Sequence, residues 1–191
     1  MDLSIILNQP YSKKTTKNVV GEVIAHPEKM NELIELFQQK NQRTSIYAGW
    51  ILSYIAEQNP TLIAKHLHII IKKLDNKVNN PALIRNVFRT LQFVVIPKKH
   101  EGYLLTKGFE FLNNYNSPIA VKVFAMTVIY NLSKKHPEIQ NELKLSLENQ
   151  FEHASAGFKS RATKILNKLN KQIVCCSTFR GSSGVAEKCD N

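Results

Sequence analysis

Apolar residues recur along most of this chain at three- and four-residue steps, the spacing of one face of an α-helix. Val121, Phe124, Val128 and Leu132 keep that step. The stretch from Ile119 to Leu132 is apolar nearly all round, which predicts a helix sandwiched between neighbours. Ile139, Leu143, Leu147 and Phe151 keep a strict four-residue step with polar and charged residues between them, which predicts an outer-layer helix wetted on one face. Taken along the chain, the pattern predicts nine main helices, near 13–25, 28–40, 43–58, 60–75, 81–96, 98–114, 117–134, 137–152 and 155–171. A short amphipathic piece at 2–8 is expected to cap the N-terminal face. The pattern stops after residue 172, so the expected organisation is one domain over 1–172 and a disordered tail, "IVCCSTFRGSSGVAEKCDN", over 173–191.

The pattern also repeats. "HPEKMNEL" begins at His26 and "HPEIQNEL" at His136, 110 residues later. Pro60 and His100 mark intermediate steps, dividing the interval into three units of roughly 37 residues, the size of a two-helix repeat. "TSIYAGWILSYIAEQNP" and "AVKVFAMTVIYNLSKKHP" align without a gap, and "PALIRNVFRTLQFVV" aligns with "PIAVKVFAMTVIYNL" at a shift of 37. The repeated phrase has a structural reading. Proline fits the first helical position, where its missing N–H costs nothing. The residue before it is pushed out of the helical region, so the previous helix ends there. Glu28 and Glu138 suit a positive helix start. Leu33 and Leu143 are expected core anchors, with Asn31, Glu32, Asn141 and Glu142 facing water. Stacked helices lie about 10 Å apart, so His26 and His136, three units apart, are expected too far apart to share a metal or a proton.

With "YAGWIL" (47–52), "AVKVFAMT" (120–127), "PEIQNELKLSLE" (137–148) and "ASAGFKSRATKIL" (154–166), the chain resembles the HEAT/armadillo-type α-solenoids. More narrowly, it is similar to a group of small bacterial HEAT-like proteins of unestablished activity. The resemblance implies an all-α, right-handed α-α superhelix of about four and a half HEAT-like units. Members of that group are sometimes labelled adenylosuccinate lyase. True lyases are more than twice this length and carry a mobile Ser-rich catalytic loop and a Met-Pro-Lys-Asn run, neither of which occurs here. Some alkylpurine-DNA glycosylases built from HEAT-like repeats also resemble this chain in architecture and charge, and their chemistry implies Trp faces with an Asp. Trp50 is the sole Trp, and Asp2, Asp75 and Asp190 are the only Asp residues, none within a helix that could face it.

Composition narrows the function classes. There are 26 Lys and Arg against 15 Asp and Glu, a formal net charge of +11, and all of this excess lies before residue 173. Such a surface attracts polyanions or acidic protein faces. All three cysteines (Cys175, Cys176, Cys189) fall in the tail, so no disulfide framework is expected and a reducing cytoplasm is the expected compartment. No stretch approaches the roughly 20 apolar residues of a membrane span. "GSSG" at 181–184 lacks the context of a phosphate loop or a nucleophile elbow. His66 and His68, two apart on a helix, point to different faces. The sequence therefore predicts no catalytic residue, metal or cofactor.

Two binding features remain. Arg85, Lys122 and Lys159 occupy one register in successive units, 37 residues apart, with Arg43, Arg89 and Arg161 within about a turn of it. This predicts a basic ridge along the solenoid, although inherited surface lysines would give the same spacing. Tyr47, Trp50 and Tyr54 fall at helical spacing and are the candidate aromatic platform, although such a stripe more often serves inter-repeat packing. The leading expectation is a non-enzymatic module that binds a protein or peptide, acidic ones included, through a ridge or groove. The alternative is a nucleic-acid binder using the basic ridge, and the third an unrecognised enzyme. Oligomeric state is left open.

Overall fold

The computed structural model describes residues 2–10, 12–75 and 80–178, with side chains as far as 171. In chain order the helices are α1 (Leu3–Leu7), α2 (Lys13–Ala25), a 3-10 turn (Pro27–Lys29), α3 (Met30–Gln38), α4 (Gln42–Gln58), α5 (Pro60–Ala64), α6 (Leu67–Lys72), α7 (Pro81–Leu91), α8 (Lys98–Asn113), α9 (Ile119–Ser133), α10 (Ile139–Phe151) and α11 (Ala156–Thr178). Helices α2, α4, α7, α9 and α11 pack side by side in one layer. The 3-10 turn, α3, α5, α8 and α10 lie against that layer as a second. No strand occurs among the described residues, and the architecture is the all-α superhelix that the repeat predicts. Among the described residues no helix is long and apolar enough to cross a membrane.

Local chemistry starts the helices where the sequence pattern places them. Side chains of Asp2, Ser12, Asn41 and Asn80 accept backbone N–H groups of the first turns of α1, α2, α4 and α7. Glu32, expected to face water, instead reaches from α3 to accept the Leu3 N–H at 2.9 Å and so docks the N-terminal cap. The core follows the predicted faces: Leu33, Leu143, Val128 and Ile129 are all fully buried. Its larger part runs from α1 to α9, and a second cluster of Leu112, Met126, Leu143, Leu147, Phe158 and Leu169 knits α8 to α11.

Three boundaries differ from the pattern. The helix expected at 60–75 is two pieces, because the His66 N–H bonds back three residues to Ile63 and tightens the turn. Ile63, Leu67, Ile70, Ile71 and Leu74 still share one buried face, which is why periodicity alone reads straight through the break. Helix α7 stops at Leu91 rather than 96: Val94, Val95 and Ile96 are β-branched, and Pro97 disfavours helix at Ile96. The freed carbonyls find partners on α9 and just past its end, where the Asn131 amide donates to Gln92 O at 3.0 Å and Lys135 Nζ to Ile96 O at 3.4 Å. Helix α11 continues to Thr178, beyond the last apolar repeat position, and the sequence after it lies outside the described residues.

The two "HPE" phrases are joints, and they are not equivalent. At the first, His26 ends α2, its N–H bonded to Glu22 O, and starts the 3-10 turn with Pro27 at its first position. Its imidazole lies 3.3 Å from the exposed Glu28 carboxylate and is half exposed. At the second, His136 again closes a helix, yet its Nε2 lies 2.8 Å from Glu101 Oε2, a carboxylate buried at the start of α8. Lys135 Nζ bonds the other oxygen of Glu101 at 2.8 Å. Both partners hold the Glu101 carboxyl below its ordinary range, Lys135 the more strongly. Nothing in the periodicity singled out Glu101, because a Glu in the first turn of a helix is ordinarily a solvated one.

Candidate functional site

Of the residues the sequence proposed for binding, the fold brings together those on α4 and α7. These helices approach closely because Gly49 lacks a side chain: a Cβ there would sit 3.1 Å from the Phe37 ring and 3.3 Å from Leu83. Asn86, buried between them, donates from its amide to the Ile46 carbonyl at 3.0 Å. Its Oδ1 accepts from Arg85 Nε and Nη2 at 3.2 and 3.1 Å. The Arg85 guanidinium is thus held beside a cavity of about 270 Å³ lined by Ile46, Tyr47, Trp50, Arg85 and Asn86. One turn along, Arg89 lies over the Tyr54 ring, 4.4 Å from its centroid, and its Nη2 is 3.4 Å from Glu57 Oε2. Trp50 and Tyr54, both partly exposed, have ring centroids 5.8 Å apart.

Where α4 meets α7 the chain thus carries a cavity beside Tyr47, Trp50 and the Arg85 guanidinium, and one turn along a second restrained guanidinium, Arg89, stacked on Tyr54. A guanidinium stacked on an aromatic ring contributes about 0.5–1 kcal/mol where exposed and keeps its in-plane donors available to a carboxylate or phosphate. Asn86 and Glu57 complete the arrangement, and sequence reasoning missed both. Glu57 follows Tyr54 by three residues, on the same face of α4, so that spacing held a signal for it. Asn86 held none, since a neighbour in sequence on a helix normally points elsewhere.

The other proposed residues are placed differently. Tyr47 is fully buried, with its hydroxyl 3.3 Å from Thr16 Oγ1, so it backs the groove and offers no open ring face. Lys122 is only 8% exposed, and its Nζ donates to Gln150 Oε1 on α10 at 2.8 Å. Lys159 donates to the Glu152 carbonyl at 2.9 Å, and Arg161 Nη1 to Thr127 Oγ1 at 3.0 Å, each toward a neighbouring element. Arg43 stands at the exposed start of α4. Equal register therefore does not yield one continuous row of open cations: burial of Lys122 interrupts it. Asp2 caps α1 and Asp75 accepts from the Tyr103 hydroxyl, so neither meets Trp50. Among the described residues no group of three or more His, Cys, Asp or Glu is placed to hold a metal ion.

The repeat, its layers and its joints agree with one family. The model of the HEAT repeat domain matches residues 4–169, nearly the whole described chain. The chain belongs to the HEAT repeat domain family. No curated protein and no solved structure matches it. HEAT repeats typically serve as non-enzymatic scaffolds for protein interaction.

Proposed function

We propose that this HEAT repeat protein is a non-enzymatic interaction module that binds an acidic protein or peptide segment in the α4–α7 groove. The observation that carries the reading is the pairing of two restrained arginines on α7 with Trp50 and Tyr54 on α4. Trp, Tyr and Arg are the residues that dominate binding energy at protein interfaces, because they give large contact area with little ordering cost. Arg85, held by Asn86, and Arg89, held by Tyr54 and Glu57, lose little freedom on binding. The net charge of +11 favours an acidic partner and speeds encounter with it.

The same charge supports a second reading, a nucleic-acid strand whose phosphates meet the arginines while bases stack on Trp50 and Tyr54. One experiment separates them. The full chain is panned against a displayed library of random acidic peptides, and the best peptide is titrated against wild type and an Arg85→Gln/Arg89→Gln variant. Peptides combining Asp or Glu with an aromatic or aliphatic residue should enrich, and the double variant should lose about tenfold or more in affinity. Absence of enrichment, or equal affinity of the variant, defeats the peptide reading. Labelled DNA and RNA strands are titrated alongside. Micromolar binding that falls steeply with salt and depends on the same arginines transfers the groove to nucleic acid.

A further inference from the structure

The solenoid has a second cavity, of about 310 Å³, between α9, α10 and α11, and it shares no lining residue with the α4–α7 groove. Its walls are unlike each other. Tyr115, Ile119, Ala154 and Phe158 form an apolar side, while Ser117, Asn149, Gln150, His153 and Ser155 are polar; Lys122 supplies a cation. Among the described residues no Asp or Glu lines it.

Lys122 is the unusual member. The residue is more than nine-tenths buried, yet among the described residues its ammonium meets the neutral Gln150 amide, at 2.8 Å, and the face of Tyr115, 5.7 Å from the ring centroid. No carboxylate among the described residues lies within ion-pair distance of it. Burying a charge without an opposite charge costs free energy, and here burial pushes the lysine below its ordinary pKa. Gln150 is itself held in orientation, donating from Nε2 to Ser146 O at 3.1 Å, so that Oε1 faces the lysine. A protein that needed this lysine only for packing would do better with an apolar side chain of similar shape.

The surroundings add positive potential. The starts of α9 and α11 meet at the cavity, where a Cβ on Gly157 would lie 4.0 Å from Ile119 Cγ2. Neither helix has an acidic residue in its first turn, and no side chain caps α9. Tyr115 and Ile119 stand open to solvent at the apolar rim, the tyrosine 90% exposed.

We propose that this cavity binds a small organic monocarboxylate with an apolar body, its carboxylate against Lys122 and its body between Tyr115, Ile119 and Phe158. A single ammonium flanked by neutral donors matches one negative charge. A phosphate dianion calls for several cations or a guanidinium fork. The volume stands at the lower end of the range for small-molecule sites, about 300–1,000 Å³.

The test uses the full chain with phenylacetate as probe, phenylacetamide as its neutral counterpart and inorganic phosphate as a second anion. Binding is followed by amide chemical shifts and by melting temperature. Phenylacetate should shift the amides of Ile119, Ser155 and Phe158 at millimolar concentration and raise the melting temperature, with both comparison compounds at least about tenfold weaker. Lys122→Met should lose about tenfold or more in phenylacetate affinity while melting, without ligand, at the same or a higher temperature than wild type. That pairing of lost binding with retained or gained stability is what a purely structural lysine would not give. Equal shifts with phenylacetamide, stronger binding of phosphate, no shift up to about 20 mM phenylacetate, or unchanged binding in the variant each overturn the assignment. Should the variant not fold, the comparison of the three compounds on wild type decides alone.

Discussion

Two histidines in the same eight-residue phrase have different surroundings, and only tertiary neighbours distinguish them. His26 is half exposed and pairs with the exposed Glu28, whereas His136 bonds the buried Glu101. Replacing an exposed joint residue removes little, so His26→Ala should change stability by no more than about 0.5 kcal/mol. His136→Ala leaves Glu101 with one partner fewer in a poorly solvated place and should lower the melting temperature by several degrees. Thermal melts of the two single variants check the contrast, and equal effects would mean that the Glu101 contact is not holding the joint. The periodicity identified both histidines as joint residues because proline and helix-end chemistry is local. It could not identify the partner, since Glu101 lies 35 residues before His136.

Helices in this chain are set by local signals, while their spacing is set by small residues at contact points. Helix α8 crosses α9 at Gly108, where a Cβ would come within 2.7 Å of Ile129 Cγ1. Alanine gains about 1 kcal/mol of helix propensity over glycine, and overpacking costs about 1–3 kcal/mol. The clash involves a carbon near the base of a fully buried isoleucine, so it should win. Gly108→Ala is expected to destabilise by about 1–2 kcal/mol in urea unfolding, whereas Gly102→Ala, with nothing within 4 Å of the added carbon, should stabilise slightly. A stabilised Gly108→Ala would show that α8 and α9 can separate freely. Both glycines lie in the same helix and look alike in the sequence, but only one faces a neighbour.

At the scale of the molecule, joints that hold the solenoid depend on carboxylates. Asp2 caps α1, Glu22 pairs with Lys29 beside the first joint, and Glu101 holds the second. All three carboxyls are lowered from their ordinary range: Asp2 chiefly by its hydrogen bond from Ser4, Glu22 by that from Lys29, Glu101 by that from Lys135. A lowered folded-state pKa means that the stabilisation is complete above the ordinary carboxylate range and is lost as pH falls through the folded values. The urea midpoint should therefore respond little to these groups at neutral pH and fall once the pH drops below about 4.5, the ordinary value for Glu. Glu101→Gln should be less stable at neutral pH and flatter in acid. A variant with the same acid slope as wild type would remove Glu101 from this account.

The sequence by itself determined the repeat length, the all-α class, the buried face of nearly every helix and the two joints. Those features depend on residues within a turn or two of one another, where spacing and φ preferences act directly. It also named Arg85, Arg89, Trp50 and Tyr54, but as two unrelated features. Tertiary structure decided that these four stand as neighbours where α4 meets α7, that Tyr47 belongs to the core, and that Lys122, in the same register as Arg85, is buried against α10. The physical reason is that a long polar side chain is exposed or buried according to what the adjacent element sets opposite it. Arg85 meets the open α4–α7 groove and Lys122 meets Gln150. Register fixes where a side chain starts, and the neighbouring helix fixes where its charge ends.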